Sequence, residues 1–343
     1  MTKSGAVMEE TTAPDESRSV KILTTGGTIA TALDPASGDT APLIGGDAVM
    51  RLAADAGPGE AEEISRVPSW QLTPELMRLI ALRIRDEARA DPERGLVVTV
   101  GTSALEYLAY MTELFYDVDA AVVMTGAMRR ADDAAPDGPS NLKEALIVAR
   151  ATESRGKGVV VCFHGRVLSA RGVWKRDRHD VDAFVDVGGD VGSVAAGKVV
   201  YERTPVAGPC FSGAIEPAVE LIKVVPGADA AALEGALHRG ARGIVLEALP
   251  GAGAVPLTML DGIALAVTAN VPVVIASRAP HGRVPTPPTG GTGSPLRRLP
   301  LLSANDLTAE KAWILLMAAL GECHDAADAS QLFNKVAQSA GTD

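Results

Sequence analysis

Two glycines set between threonines, Thr25-Gly26-Gly27-Thr28, follow directly on the apolar run Val20-Lys21-Ile22-Leu23-Thr24. The run reads as a strand, and paired glycines let the backbone turn sharply at its end and approach a ligand closely. Thr28 then offers a hydroxyl at the C-terminal edge of a sheet, where open α/β folds bind their ligands. A phosphate loop would end in Gly-Lys-Ser or Gly-Lys-Thr, and a dinucleotide fingerprint would carry three spaced glycines. The segment has neither. Taken by itself, it reads equally well as an ordinary Gly-rich turn.

Further strings along the chain change that balance. Thr25-Gly26-Gly27-Thr28-Ile29-Ala30 resembles the first signature of the bacterial L-asparaginase family. Val97-Val98-Thr99-Val100-Gly101-Thr102 resembles the family's second strand-end motif, and Thr125-Gly126-Ala127-Met128-Arg129 and Asp137-Gly138-Pro139-Ser140-Asn141-Leu142 resemble the next two. Ser169-Ala170-Arg171-Gly172-Val173-Trp174-Lys175 resembles the lysine motif. Ala276-Ser277-Arg278 and Asp306-Leu307-Thr308-Ala309-Glu310-Lys311-Ala312 complete the series, so the resemblance spans residues 19 to 335.

The resemblance implies an amidohydrolase that uses a threonine nucleophile and neither metal nor cofactor. Amide hydrolysis needs a nucleophile, a group to take its proton, and donors for the tetrahedral oxyanion. Carried over by motif, Thr28 is the first nucleophile, and Thr102 with Lys175 forms the second catalytic group. A buried lysine of depressed pKa beside Thr102 can accept a proton. The same matching marks Gly27, Ser69, Gly101, Ser103 and Ala127 as substrate-binding positions, Ser69 only loosely. Outside the motif, Lys175 would read as a solvated charge within Lys175-Arg176-Asp177-Arg178.

Several positions depart from the family pattern. Where the family carries an aspartate that pairs with the substrate's α-ammonium group, this chain has Ser103. Burying an ammonium without a carboxylate partner costs several kcal/mol, so a free α-amino acid is expected to bind poorly unless another acid, such as Asp39 or Glu106, moves in. Val100 replaces a common histidine, and no tyrosine precedes Tyr107. The loop from Thr31 to Gly46 offers Thr31, Asp34, Ser37, Asp39 and Thr40 instead. Ala254 stands where the family often has asparagine, loop 281–296 has no glutamate, and Trp70 replaces a frequent polar residue.

These departures favour hydrolysis of a side-chain or small carboxamide on a modified substrate lacking a free α-ammonium group. Ordinary L-asparaginase activity, releasing aspartate and ammonia, is the alternative. Capture of the acyl group by an amine and a non-catalytic binding role on the same scaffold are further readings. The asparaginase-like component of the archaeal tRNA amidotransferase is disfavoured by the acidic balance and the lack of an extra domain.

Composition narrows the class. The chain has 343 residues, 47% hydrophobic but only 3% aromatic, so Ala, Val and Leu must fill its cores. Lys+Arg of 32 against Asp+Glu of 43 gives a net charge of −11, which argues against a nucleic-acid surface. No apolar run is long enough for a membrane span, and no signal core is visible at the N-terminus. Cys162, Cys210 and Cys323 are too widely spaced for a disulfide framework or a metal motif. A cytoplasmic protein is expected. The partners expected are a small-molecule amide and, from the family, further copies of the chain in a homodimer or homotetramer.

The elements that must position these residues alternate. Strand candidates lie at 20–24, 95–100, 120–125, 158–163 and 198–202, and helix candidates at 46–55, 73–89, 104–116 and 141–154. Alternation of this kind builds an α/β fold with a mainly parallel, doubly wound sheet. Thr204 to Gly213, with two prolines and two glycines, reads as the start of a linker. Beyond it the rhythm resumes with strands at 219–225, 242–247 and 271–276 and helices at 229–239, 258–268 and 308–320. The expected organisation is a disordered extension over 1–18, an N-terminal domain over 19–205, a linker over 206–218 and a smaller C-terminal α/β domain over 219–343.

Overall fold

The computed structural model describes residues 18–33, 40–42, 59–205, 208–288 and 295–339. Its first half contains β1 (Val20–Thr24), β2 (Thr31–Leu33), β3 (Thr40–Pro42), β4 (Gly59–Glu63), α1 (Pro74–Ala90), β5 (Gly95–Thr99), α2 (Leu105–Leu114), β6 (Val122–Thr125), α3 (Gly138–Arg150) and β7 (Val159–Phe163). A run of short strands follows: β8 (Arg166–Ser169), β9 (Val173–Lys175), β10 (Phe184–Asp186), β11 (Gly192–Ala195) and β12 (Lys198–Tyr201). The second half has β13 (Val219–Lys223), α4 (Ala231–His238), β14 (Gly243–Ala248), α5 (Leu260–Thr268), β15 (Val273–Ser277), β16 (Leu302–Ser303), α6 (Ala309–Glu322) and α7 (Ala326–Gln338).

The larger sheet has the order β12-β11-β8-β7-β6-β5-β1-β4. Strands β4, β1, β5, β6 and β7 run parallel, and β8, β11 and β12 extend the sheet antiparallel. The chain leaves β1 for β4 on one side and then crosses to β5 on the other. The strand order therefore reverses at β1, which opens a ligand crevice at the C-terminal edge there. Alternate strand residues face opposite layers. Leu23, Leu96, Val98 and Met124 pack under the helices α1 and α2, while Ile22, Val97, Val123 and Cys162 pack under α3. Strand β4, Gly-Glu-Ala-Glu-Glu, carries no apolar run. It is an edge strand whose Glu62, together with Glu87 of α1, binds the buried Lys21 ammonium at 2.8 Å.

Helix starts follow local chemistry. Thr73 caps α1 by accepting from Leu76 N, Pro74 opens the first turn, and Met77, Ile80, Ala81, Ile84 and Ala88 form the buried stripe. Thr308 caps α6 in the same way. The smaller sheet, β13-β14-β15-β16, is wholly parallel. Helices α4 and α5 cover one face and α6 the other. Helix α6 also packs on α2, so one apolar cluster runs between the two sheets. The helix expected at 46–55 lies outside the described residues.

Candidate active site

Sheet register brings the motif loops together. Thr24 pairs with Thr99, and Thr99 with Thr125, so the segments that follow β1, β5 and β6 leave the sheet side by side. Thr25 ties the first turn to β5, its N and Oγ1 both donating to Thr99 O at 3.1 and 2.8 Å. Gly26 and Gly27 then take φ of 88° and 92°, a region that favours glycine. The chain enters a short 3₁₀ turn over Thr28–Ala30.

Close backbone approach fixes the walls. A Cβ on Gly27 would lie 2.6 Å from Gly101 Cα, and one on Gly101 would lie 2.6 Å from Ser69 Cβ. The three segments thus stack directly on one another. They enclose a cleft of about 150 Å³ lined by Gly27, Thr28, Ser69, Gly101, Thr102 and Ser103, together with Thr31, Arg66, Pro68 and Trp70. Ser69 and Thr102 are buried, Thr28 is half-buried, and Trp70 stands 75% exposed at the rim.

Lys175 reaches Thr102 from β9, a strand held in a hairpin by β10 through the pairing Lys175↔Phe184. Its Nζ donates to Thr102 Oγ1 at 2.8 Å and sits 5.8 Å from the Phe184 ring centre. Burial lowers its pKa below the usual lysine value, outweighing the opposing pull of Glu106 and Asp177. Two further groups hold this strand. Glu106 of α2 accepts from Lys175 N at 3.2 Å, and Lys311 of α6, itself fully buried, donates to Val173 O at 2.8 Å. Burial raises the Glu106 pKa despite the two lysines and lowers that of Lys311.

Eight residues were marked from the sequence. Gly27, Thr28, Ser69, Gly101, Thr102 and Ser103 line the cleft, and Lys175 adjoins it through Thr102. Ala127 is the exception. It is fully buried in the apolar layer beside Ile29, and its Cβ packs against the turn of Gly138, so its side chain does not line the cleft. Glu106 does not line the cleft either, since its carboxylate turns to the Lys175 backbone. Asp34, Ser37 and Asp39 lie outside the described residues, as does the side chain of Thr40. Arg66 escaped the sequence reading because a lone exposed arginine carries no pattern. Lys311 did leave a signal, as a lysine amid the apolar run Ala312-Trp313-Ile314-Leu315. Among the described residues, no cluster of His, Cys, Asp and Glu is suited to a metal.

The arrangement places the hydroxyls of Thr28 and Thr102 in one cleft, the second of them bound to an amine of lowered basicity. That is the material for nucleophilic attack with proton transfer. Comparison with known proteins points the same way. Residues 19–207 match the sequence model of the asparaginase N-terminal domain, and residues 218–333 match that of the glutaminase/asparaginase C-terminal domain. The chain is 32% identical to L-asparaginase 2 of Bacillus subtilis over 92% of its own length and 86% of that protein's. It is 31% identical to a component chain of the glutamyl-tRNA(Gln) amidotransferase of Methanopyrus kandleri, over 91% of this chain and 72% of that one. The crystal structure of a probable cytoplasmic L-asparaginase from Campylobacter jejuni superposes with a TM-score of 0.81 at 28% identity, covering 93% of this chain and 99% of that one.

Proposed function

The chain belongs to the asparaginase family of amidohydrolases, and on that premise we propose that it hydrolyses a carboxamide through Thr28 on a substrate without a free α-ammonium group. Thr28 Oγ1 attacks the amide carbon, ammonia leaves with the proton taken from the hydroxyl, and water then cleaves the Thr28 ester to a carboxylate. Thr102 and Lys175 handle the protons. A neutral Lys175 amine accepts from the Thr102 hydroxyl across their 2.8 Å contact, and Thr102 in turn accepts from the attacking group.

The observation that carries the substrate reading is the charge of the cleft. Among the described residues that line it, none is acidic, and the one charged side chain is Arg66. An α-ammonium group would enter with no counter-charge at Ser103. A peptide-linked or N-acylated asparagine or glutamine, or a small carboxamide, meets no such cost. A relative of similar identity bears the name of a tRNA amidotransferase component, so the scaffold is not tied to one substrate. Ordinary asparaginase activity remains the second reading, supported by the relatives named L-asparaginase. We include assembly as a homodimer or homotetramer in the proposal. Among the described residues no helix is long and apolar enough to cross a membrane.

An ammonia-release screen tests this reading. Free asparagine and glutamine are compared with their N-acetylated and peptidyl forms. The proposal expects the blocked forms to have the higher kcat/KM. A clear preference for free asparagine contradicts it.

A further inference from the structure

Strand β9 has a single strand neighbour, β10, among the described residues. Its even-numbered residues face that neighbour: Gly172 O accepts from Val187 N and Arg176 N donates to Ala183 O, both at 2.9 Å. Val173 and Lys175 therefore turn their peptide groups to the opposite edge, where no further strand pairs among the described residues. Two charged side chains serve that edge instead. The Glu106 carboxylate accepts from Lys175 N at 3.2 Å, and the Lys311 ammonium donates to Val173 O at 2.8 Å. Each supplies what the carbonyl or amide of an adjacent strand would supply, so the open edge is closed from α2 and α6.

Glu106 is joined to the cleft in a second way. It stands in the first turn of α2, and the loop that leads from Thr102 into that helix is closed by Ala104 N donating to Gly101 O at 3.2 Å. This one short segment grips Lys175 at both of its nitrogens: Thr102 Oγ1 accepts from Nζ at 2.8 Å, and Glu106 accepts from the backbone N. We propose that Glu106 is a positioning residue for Lys175, its carboxylate docking β9 onto the start of α2 and so fixing the reach of the amine to Thr102. This role builds on the proton transfer proposed for Lys175 and gives Glu106 no contact with substrate. Its charge has a further effect. Burial lowers the Lys175 pKa, and the Glu106 carboxylate opposes that fall, with Asp177 acting in the same sense. Tyr107, Glu310 and Lys311 are the other titratable groups around Glu106. Glu106 thus holds the amine in place and limits how readily it loses its proton.

The test compares Glu106→Gln and Glu106→Ala with the wild type, all as full-length protein. Trace labelling of the Lys175 amine with acetic anhydride across a pH series, read by mass spectrometry of its peptide, follows the amine's titration independently of turnover. Steady-state kinetics on the preferred amide give kcat and KM over the same series. Glu106→Gln keeps an acceptor for Lys175 N but loses the charge, so the labelling midpoint of Lys175 should move to lower pH. Glu106→Ala loses the acceptor too, and its kcat should fall about tenfold to a hundredfold with little change in KM. Glu106→Gln should recover most of that loss. A purely structural role would lower the yield of folded protein and leave the midpoint in place. A wild-type kcat that does not rise with pH, beside a midpoint that still moves in Glu106→Gln, would remove the proton role of Lys175 and leave the positioning role of Glu106 standing. The proposal is overturned if the midpoint in Glu106→Gln matches the wild type, or if Glu106→Ala keeps the wild-type kcat.

Discussion

Gly27 and Gly101 meet backbone to backbone, with no room for a side chain between them: a Cβ on Gly27 would fall 2.6 Å from Gly101 Cα. This contact sets the spacing between the turn that carries Thr28 and the loop that carries Thr102 and Ser103. Gly101 also abuts Ser69, so a methyl group there must push Ser69 outward. Gly101→Ala is expected to lower kcat/KM about a hundredfold, the cost of roughly 1 Å of misplacement in a reacting constellation. Kinetics on the preferred amide check this, with circular dichroism showing the fold retained. Unchanged kinetics would mean that the spacing does not matter.

Lys175→Met should lower kcat by about a hundredfold to ten-thousandfold, with a smaller change in KM. Only the neutral amine accepts a proton, so the wild-type rate should climb with pH and level off above the lysine's own pKa. Burial places that pKa below the usual 10.5. The limb should therefore lie on the acid side of that value and vanish in the variant. A rise in KM with kcat unchanged would instead make Lys175 a binding cation.

Ser103→Asp restores a carboxylate to the cleft wall. One ammonium–carboxylate contact in a partly dry site is worth about 1.5–3 kcal/mol. The ratio of activity on free asparagine to activity on its N-acetyl form should rise by roughly tenfold to a hundredfold. The uncharged substrate should lose activity, because the new carboxylate stays unpaired beside it. Steady-state kinetics on both substrates measure the ratio, and no change would remove Ser103 from the account of specificity.

Glu113 of α2 is half-buried, and its carboxylate accepts from Val159 N at 2.7 Å. Burial pushes its pKa from 4.5 to about 7. Its folded form therefore binds a proton more tightly than the unfolded chain does, and its contribution to stability declines as pH rises from about 4.5 to 7. The shift amounts to about 3 kcal/mol over that window. Glu113→Gln should flatten this part of the stability–pH curve, as read by urea unfolding at several pH values. An unaltered slope would show that Glu113 ionises normally in the folded state.

Much of this molecule was legible before its structure. Apolar runs such as Val159–Phe163 mark strands buried on both faces, and Thr73 with Pro74 marks a helix start. The glycine turn, Thr102 and Lys175 were readable because each sits in a motif of fixed residue types. Strand β4 was hidden because it is acidic, and its pairing is decided by Lys21 across the sheet edge. Strands β8 to β11 were hidden because they are short. Helix α7 went unread although Asp325 caps it by accepting from Ala327 N and Asp328 N. The supports of Lys175 come from α2 and α6, 69 and 136 positions away by residue number, and only the tertiary packing joins them. Ala127 looked like a substrate contact because it sits within a motif, yet its methyl group faces the apolar layer.

The central claim is that Thr28 is the nucleophile, and ammonia release by Thr28→Ala on the preferred amide tests it most directly. The variant should keep its fold and melting temperature while its kcat falls by several orders of magnitude, as for the loss of a nucleophile. A variant that retains more than about a tenth of wild-type kcat contradicts the claim, and Ser103, in the same cleft, would then be the hydroxyl to test.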